Sequence, residues 1–176
     1  MRVPGVLILV TLLVTPAARA GDLLEFEKHV RSTDPSLREQ IRDARATSPT
    51  FRRLIARLER SDIIVYVTRH YDMSPTLDGQ ITFTANAGGV RYLNIRIAWD
   101  LAPRRLVATL AHELQHAVEI ADAEDVVDEA SMARAYARMG EPATVNARAY
   151  QAFETREAID IAQRVWREYG SSSADD

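Results

Sequence analysis

His112-Glu113-Leu114-Gln115-His116 places two imidazoles and a carboxylate within five residues, inside a stretch whose apolar residues recur at helical spacing. No other run in the 176-residue chain constrains the fold as tightly, because these groups act together only on a helix that is buried along one side. Residues four apart on an α-helix are rotated by about 40° and offset by about 6 Å, so both rings can converge on one metal ion. Glu113, about 100° around from His112, stays out of that pair. It is placed to take a proton from a metal-bound water and to deliver it to a leaving group. Leu110, Leu114, Ala117 and Ala121 fall at i, i+4, i+7 and i+11, the stripe of a helix facing a core. With Pro103 near the first turn and Asp100 ahead of it as an acidic cap, the pattern predicts one helix over about 103–123.

Short β-rich runs come just before that helix. Ile63 to Thr68 is β-branched, Ile81 to Thr84 alternates, and Tyr92 to Ile97 alternates with Asn94 and Arg96 outward. Asn86-Ala87-Gly88-Gly89 reads as the turn between the last two. Upstream, Leu23 to Arg31 reads as a short helix, and Asp34-Pro35 and Ser48-Pro49 open two more. In the second of these, Phe51, Leu54, Ile55 and Leu58 form an apolar face behind the solvated arginines 52, 53, 57 and 60. Downstream, residues 122–128 form an acidic turn, a helix from about Glu129 stops at Gly140 before Glu141-Pro142, and a last helix covers about Val145 to Tyr169. The fold class expected is α+β: a small antiparallel sheet of about three strands on the motif helix, with further helices before and after.

Basic Arg2, the apolar run to Val14 and the Ala18-Arg19-Ala20 end have the order of a secretory signal peptide, with an uncleaved anchor as the alternative. The apolar stretch is too short to span a bilayer and no cysteine follows it for lipid attachment. The organisation expected is a signal peptide over 1–20, one domain over 21–170 and a disordered tail over 171–176. The product would be periplasmic or secreted and bacterial, with no stable membrane anchor. Loss of Arg2 and Arg19 on cleavage moves the formal net charge from -3 to -5, and no basic stripe points to nucleic acid. With no cysteine in the chain, a metal must rely on histidine and carboxylate ligands.

The motif, with Thr109 three residues before it and uncharged Leu114 and Gln115 inside it, resembles that of the zincin metallopeptidases. Strands followed directly by the motif helix resemble the upper half of a zincin fold, here a minimal one. That resemblance implies an antiparallel edge strand bordering the cleft and able to pair with an extended peptide, for which Tyr92 to Ile97 is the candidate. A catalytic zinc needs three protein ligands and one open position, so His112 and His116 require a partner. Asp122 matches the third-ligand place of metzincin-like enzymes, but Glu119 stands where those enzymes have a turn-forming glycine. In gluzincin-like enzymes the third ligand is a glutamate on a later helix, which brings in Glu154 and Glu157. Glu154 lines up with Ala158, Ile161 and Val165 on the core-facing stripe, whereas Glu157 lines up with Asp160, Arg164 and Glu168 on a polar face. A carboxylate on an apolar stripe is costly unless paired or metal-bound, which favours Glu154 and leaves Glu157, Asp122 and His70 as alternatives. Glu119 is suited to hydrogen-bonding the far nitrogen of a ligand histidine, against a plain salt bridge. Tyr150, one turn before Glu154, is a candidate for stabilising an oxyanion, against buried aromatic packing. The layout also resembles a group of small exported bacterial zincin-type proteins without an assigned substrate, although Ala158 stands where gluzincins carry a supporting aspartate.

Two functions are therefore expected to compete. One is an exported zinc-dependent hydrolase, a metallopeptidase acting on a peptide or protein substrate with Glu113 as its base. The other is a catalytically silent zinc-binding or envelope-interaction domain on the same scaffold, which a chain too short for a second cleft wall would suit.

Overall fold

The computed structural model describes residues 28–139, 141, 142 and 153–171. The expected signal peptide, most of the tail, Gly140 and Tyr150 lie outside these residues. The architecture is α+β, with five described helices and a four-stranded mixed sheet.

Two proline-initiated helices come first, α1 (Pro35–Thr47) and α2 (Pro49–Leu58). Asp34 caps α1 by accepting from the Ser36 and Leu37 amides, and Ser48 caps α2 by accepting from Phe51. Proline in each first turn wastes no helical donor, which is why both boundaries fall where the sequence predicts them. Phe51, Leu54, Ile55 and Leu58 are buried as expected.

The sheet runs in the order β1 (Val30–Arg31), β2 (Ile63–His70), β4 (Val90–Ala98), β3 (Gly79–Ala87). It is mixed rather than antiparallel: β1 and β4 both run parallel to β2, and β3 alone runs antiparallel to β4. Chain direction explains this. β3 starts level with the end of β2, one strand position further out, and the hairpin returns β4 into the gap. Gly88 and Gly89 make that reversal with φ of 61° and 77°, a left-handed pair that two glycines adopt without strain. The run from Tyr92 to Ile97 is consequently central, and among the described residues the edge strands are the two-residue β1 and the longer β3. Residues 28–31 depart from the expected helix for a similar reason. The outer edge of β2 supplies hydrogen bonds, with Val65 donating to the His29 carbonyl at 2.7 Å and Ser32 Oγ to Val67 at 2.8 Å.

The motif helix, α3, spans Pro103–Asp122, one residue short of the expected end. Ala102 rather than Asp100 occupies its N-cap, and no side chain caps that end. Its C-terminal end is held by Arg91 of β4, only 5% exposed. Nη1 donates to the carbonyls of Ile120 and Ala123 at 2.8 Å and of Val126 at 3.2 Å, and Nη2 donates to Ala121 at 3.2 Å. Asp62 clamps the same guanidinium through two 2.7 Å bonds, which hold its carboxyl below the usual range. A cation thus meets a cluster of carbonyls where the helix stops, where the macrodipole also favours positive charge.

Residues 123–128 lead into α4 (Glu129–Met139). β5 (Glu141–Pro142) pairs with β6 (Phe153–Glu154), and α5 spans Arg156–Ser171. The last described helix begins at Arg156 and Glu154 precedes it on a strand, so the expected helix does not run through Glu154; its residues 145–152 lie outside those described. α5 packs along α3, burying Ala158, Ile161, Val165 and Tyr169. Leu106, Leu110, Leu114 and Ile120 of α3 are fully buried in the same core, worth about 1.5–3 kcal/mol each. Among the described residues, no helix is long and apolar enough to cross a membrane.

Glu168 of α5 ties that helix to the start of α2. Its carboxylate accepts from Ser48 Oγ at 2.5 Å, Thr50 Oγ1 at 2.7 Å and the Thr50 amide at 3.0 Å. Burial raises its pKa, but these bonds outweigh it and the folded value lies below the ordinary 4.5. A depressed folded pKa contributes stability that is present above the unfolded value and is lost as pH falls through the folded one. Glu168→Gln is thus expected to lower the urea midpoint at pH 7 and to unfold much like the parent at pH 3. An equal deficit at both pH values would refute the ionic role.

Candidate metal centre

α3 brings the two histidines together as its pitch requires. Their Nε2 atoms lie 3.1 Å apart, and the rings cross edge-on with centroids at 4.7 Å. Glu154 arrives from β6, with Oε2 3.0 Å from His112 Nε2. One donor atom from each of His112, His116 and Glu154 lies within 4.8 Å of the other two, forming a group able to hold a metal ion. Donors around a tetrahedral ion with bonds of about 2.0–2.1 Å stand about 3.3 Å apart, so the two printed separations already approximate one face of such a site. Two imidazoles and one carboxylate also match the ligand chemistry of a borderline cation that leaves a fourth position open. The residues fit the group.

The partner of the second ring sets its tautomer. His116 Nδ1 lies 2.8 Å from Glu119 Oε2, and a proton on Nδ1 donated to that carboxylate leaves the Nε2 lone pair facing the group. Glu119 Oε1 accepts from Thr155 Oγ1 at 2.7 Å and from Gln115 Nε2 at 3.3 Å. Burial pushes Glu119 up, yet these hydrogen bonds and the charge of His116 hold its pKa below the ordinary value. Burial likewise opposes ionisation of Glu154, and the bond to His112 outweighs it, again lowering the pKa. Burial lowers that of His112, but its bond to Glu154 and the charges of Glu113, Glu154 and Glu119 raise it overall.

Glu113 differs from the other carboxylates. It is 6% exposed, and its carboxylate makes no hydrogen bond to the described residues. Burial raises its pKa against the pull of His116 and His112, the opposite direction to Glu119 and Glu154. Its carboxylate lies against Gly79 at the start of β3. A Cβ built at Gly79 would stand 2.7 Å from both Glu113 Oε1 and Thr109 Cγ2, so any larger residue there would force one of these side chains to shift.

The other candidates lie elsewhere. Asp122 accepts from Arg57 Nη2 at 2.7 Å, an exposed ion pair at the end of α3. Glu157 is exposed on α5 and outside the metal-holding group. His70 is engaged on the other face of the sheet, with Arg96 Nη2 at 3.0 Å and Thr68 Oγ1 at 3.1 Å. Glu154 meets the group for a reason other than helical phase, because it lies on β6 and only the following residue begins the helix turn. Sequence reasoning missed Gly79, Thr155 and Tyr136. Tyr136 packs edge-on against the His116 ring at 5.2 Å and donates its hydroxyl to the His116 carbonyl at 3.3 Å. A buried tyrosine in α4 carries no local signal of that contact. Thr155 beside Glu154 did carry one, since threonine ahead of a helical pattern is a cap.

Two sizeable cavities flank the helix without touching the donors. One of about 630 Å³ is bounded by Arg57, Asp62, Arg91 and Asp122, and one of about 530 Å³ by Tyr71, Trp99, Asp78 and Arg105. Comparison with known protein families, curated proteins and solved structures finds no match to this chain.

The close approach at Gly79 is open to test by stability alone. Gly79→Ala is expected to cost about 1–3 kcal/mol by overpacking, read as a lower urea midpoint. Adding Thr109→Ser, which removes the second obstructing atom, should restore part of it. An unchanged midpoint in the single variant would refute the contact.

Proposed function

We propose that this chain is an exported, zinc-dependent hydrolase of the zincin type that cleaves peptide bonds, with a gluzincin-like ligand set. The observation that carries the reading is the convergence of His112, His116 and Glu154 from two separate elements on one point, beside a buried Glu113 that makes no hydrogen bond to the described residues. Zinc, when bound, lowers the pKa of a water and polarises a carbonyl. His116 is kept in the ligating tautomer by Glu119. Glu113 takes the proton of the attacking water on its carboxylate, a transfer its raised pKa favours, and returns it to the leaving amine. Edge strand β3 starts at Gly79, against Glu113, so an extended peptide paired along it would pass the base. Export follows from the signal-peptide pattern at residues 1–20.

A second reading is a zinc-binding domain without turnover, which the same three donors serve without any part for Glu113. One pair of proteins separates the readings. The chain from Gly21 is expected to bind one zinc and cleave peptides from a mixed library, and Glu113→Gln is expected to keep the zinc while losing at least ~100-fold in kcat. Full activity in Glu113→Gln contradicts the mechanism. Zinc uptake with no cleavage by either protein establishes the second reading.

A further inference from the structure

The third ligand is the hard one to place, because it sits on a two-residue strand and not on the helix that carries the histidines. What fixes it is its neighbour. Thr155 is buried, and its hydroxyl has two roles: it accepts from the Ala158 amide at 3.2 Å, capping α5, and it donates to Glu119 Oε1 at 2.7 Å. The other oxygen of the same carboxylate receives His116 Nδ1 at 2.8 Å. Glu119 therefore holds, with one oxygen each, a ligand histidine on α3 and the residue next to the ligand carboxylate on β6.

We infer that Glu119 and Thr155 form a single clasp that positions two of the three metal ligands at once, His116 by orientation and Glu154 by docking its strand. The inference rests on the zinc site proposed above and names what assembles it. Both residues are positioning residues, since neither offers an atom to the metal-holding group. Ala158, whose amide the Thr155 hydroxyl caps, packs in the core at 0% exposure, so the cap and the docked strand are held at one buried point.

Thr155 has to be tested apart from its cap. Thr155→Ser keeps both the cap and the donor. Thr155→Asp keeps the cap, for which aspartate is well suited, but sets a carboxylate against Glu119. Zinc affinity is measured by competition with a chromophoric chelator on the chain from Gly21, beside the thermal midpoint of each metal-free protein. Glu119→Ala and Thr155→Asp are each expected to weaken zinc binding by about 10- to 100-fold, with Thr155→Ser near wild type. The double variant Glu119→Ala/Thr155→Asp should be no weaker than Glu119→Ala alone, as groups acting as a unit require. Thr155→Asp that folds and binds zinc like wild type, or losses that add in the double variant, overturns the clasp. A wild-type chain that takes up no zinc overturns the metal reading, and the clasp with it.

Discussion

Arg91 fixes where the motif helix lies, and the geometry of the site depends on that placement. A 20-residue helix resting on a sheet through leucines and alanines has little to set its position along its own axis. Hydrogen bonds set it here, because the four carbonyls that receive the Arg91 guanidinium have fixed directions. A second point of contact lies near the middle of the helix, where Gly79 meets Glu113 and Thr109. Both points belong to the β3–β4 hairpin, so one piece of sheet locates the base and the end of the helix together. α5 then closes the opposite flank.

The seam between α3 and the start of α5 is where this core admits charge. Three carboxylates, Glu113, Glu119 and Glu154, stand with two histidines beside buried leucines and alanines; Glu113 and His116 are buried and the other three partly so. Removing ionisable groups from water is expensive unless each is compensated. Glu119 and Glu154 are compensated by imidazoles and a hydroxyl, and their ionised forms are favoured accordingly. Glu113 is near the same imidazoles but makes no hydrogen bond to the described residues, and burial wins, raising its pKa. Neighbouring glutamates of one small site are thus driven in opposite directions by their partners, the condition under which one carboxylate accepts a proton while others stay anionic.

Much of this was legible in the sequence where the cause is local. The helix caps at Asp34 and Ser48, the Gly88-Gly89 turn and the apolar stripe of α3 each follow from residues within a few positions of one another. Glu154 was also singled out, but on a helical phase that does not apply, since it lies on β6. Its neighbour Thr155 bears the cap that actually starts the helix. Strand order was not legible. Alternation in Tyr92 to Ile97 says which side chains face the core and nothing about which strands lie beside it, so a central strand read as an edge. Arg91 and Asp62 are 29 positions apart, and Gly79 and Glu113 are 34 apart, with no pattern in either segment that points to the other.

The central claim is that one zinc binds at His112, His116 and Glu154. Crystals of the zinc-loaded chain, with diffraction recorded on both sides of the zinc absorption edge, test it directly. The account predicts a single strong anomalous peak about 2.0–2.2 Å from His112 Nε2, His116 Nε2 and a Glu154 oxygen, with Glu119 outside bonding distance. A peak ligated instead by Glu119, Asp122 or His70, or a fully soaked crystal with no peak on α3, would contradict it.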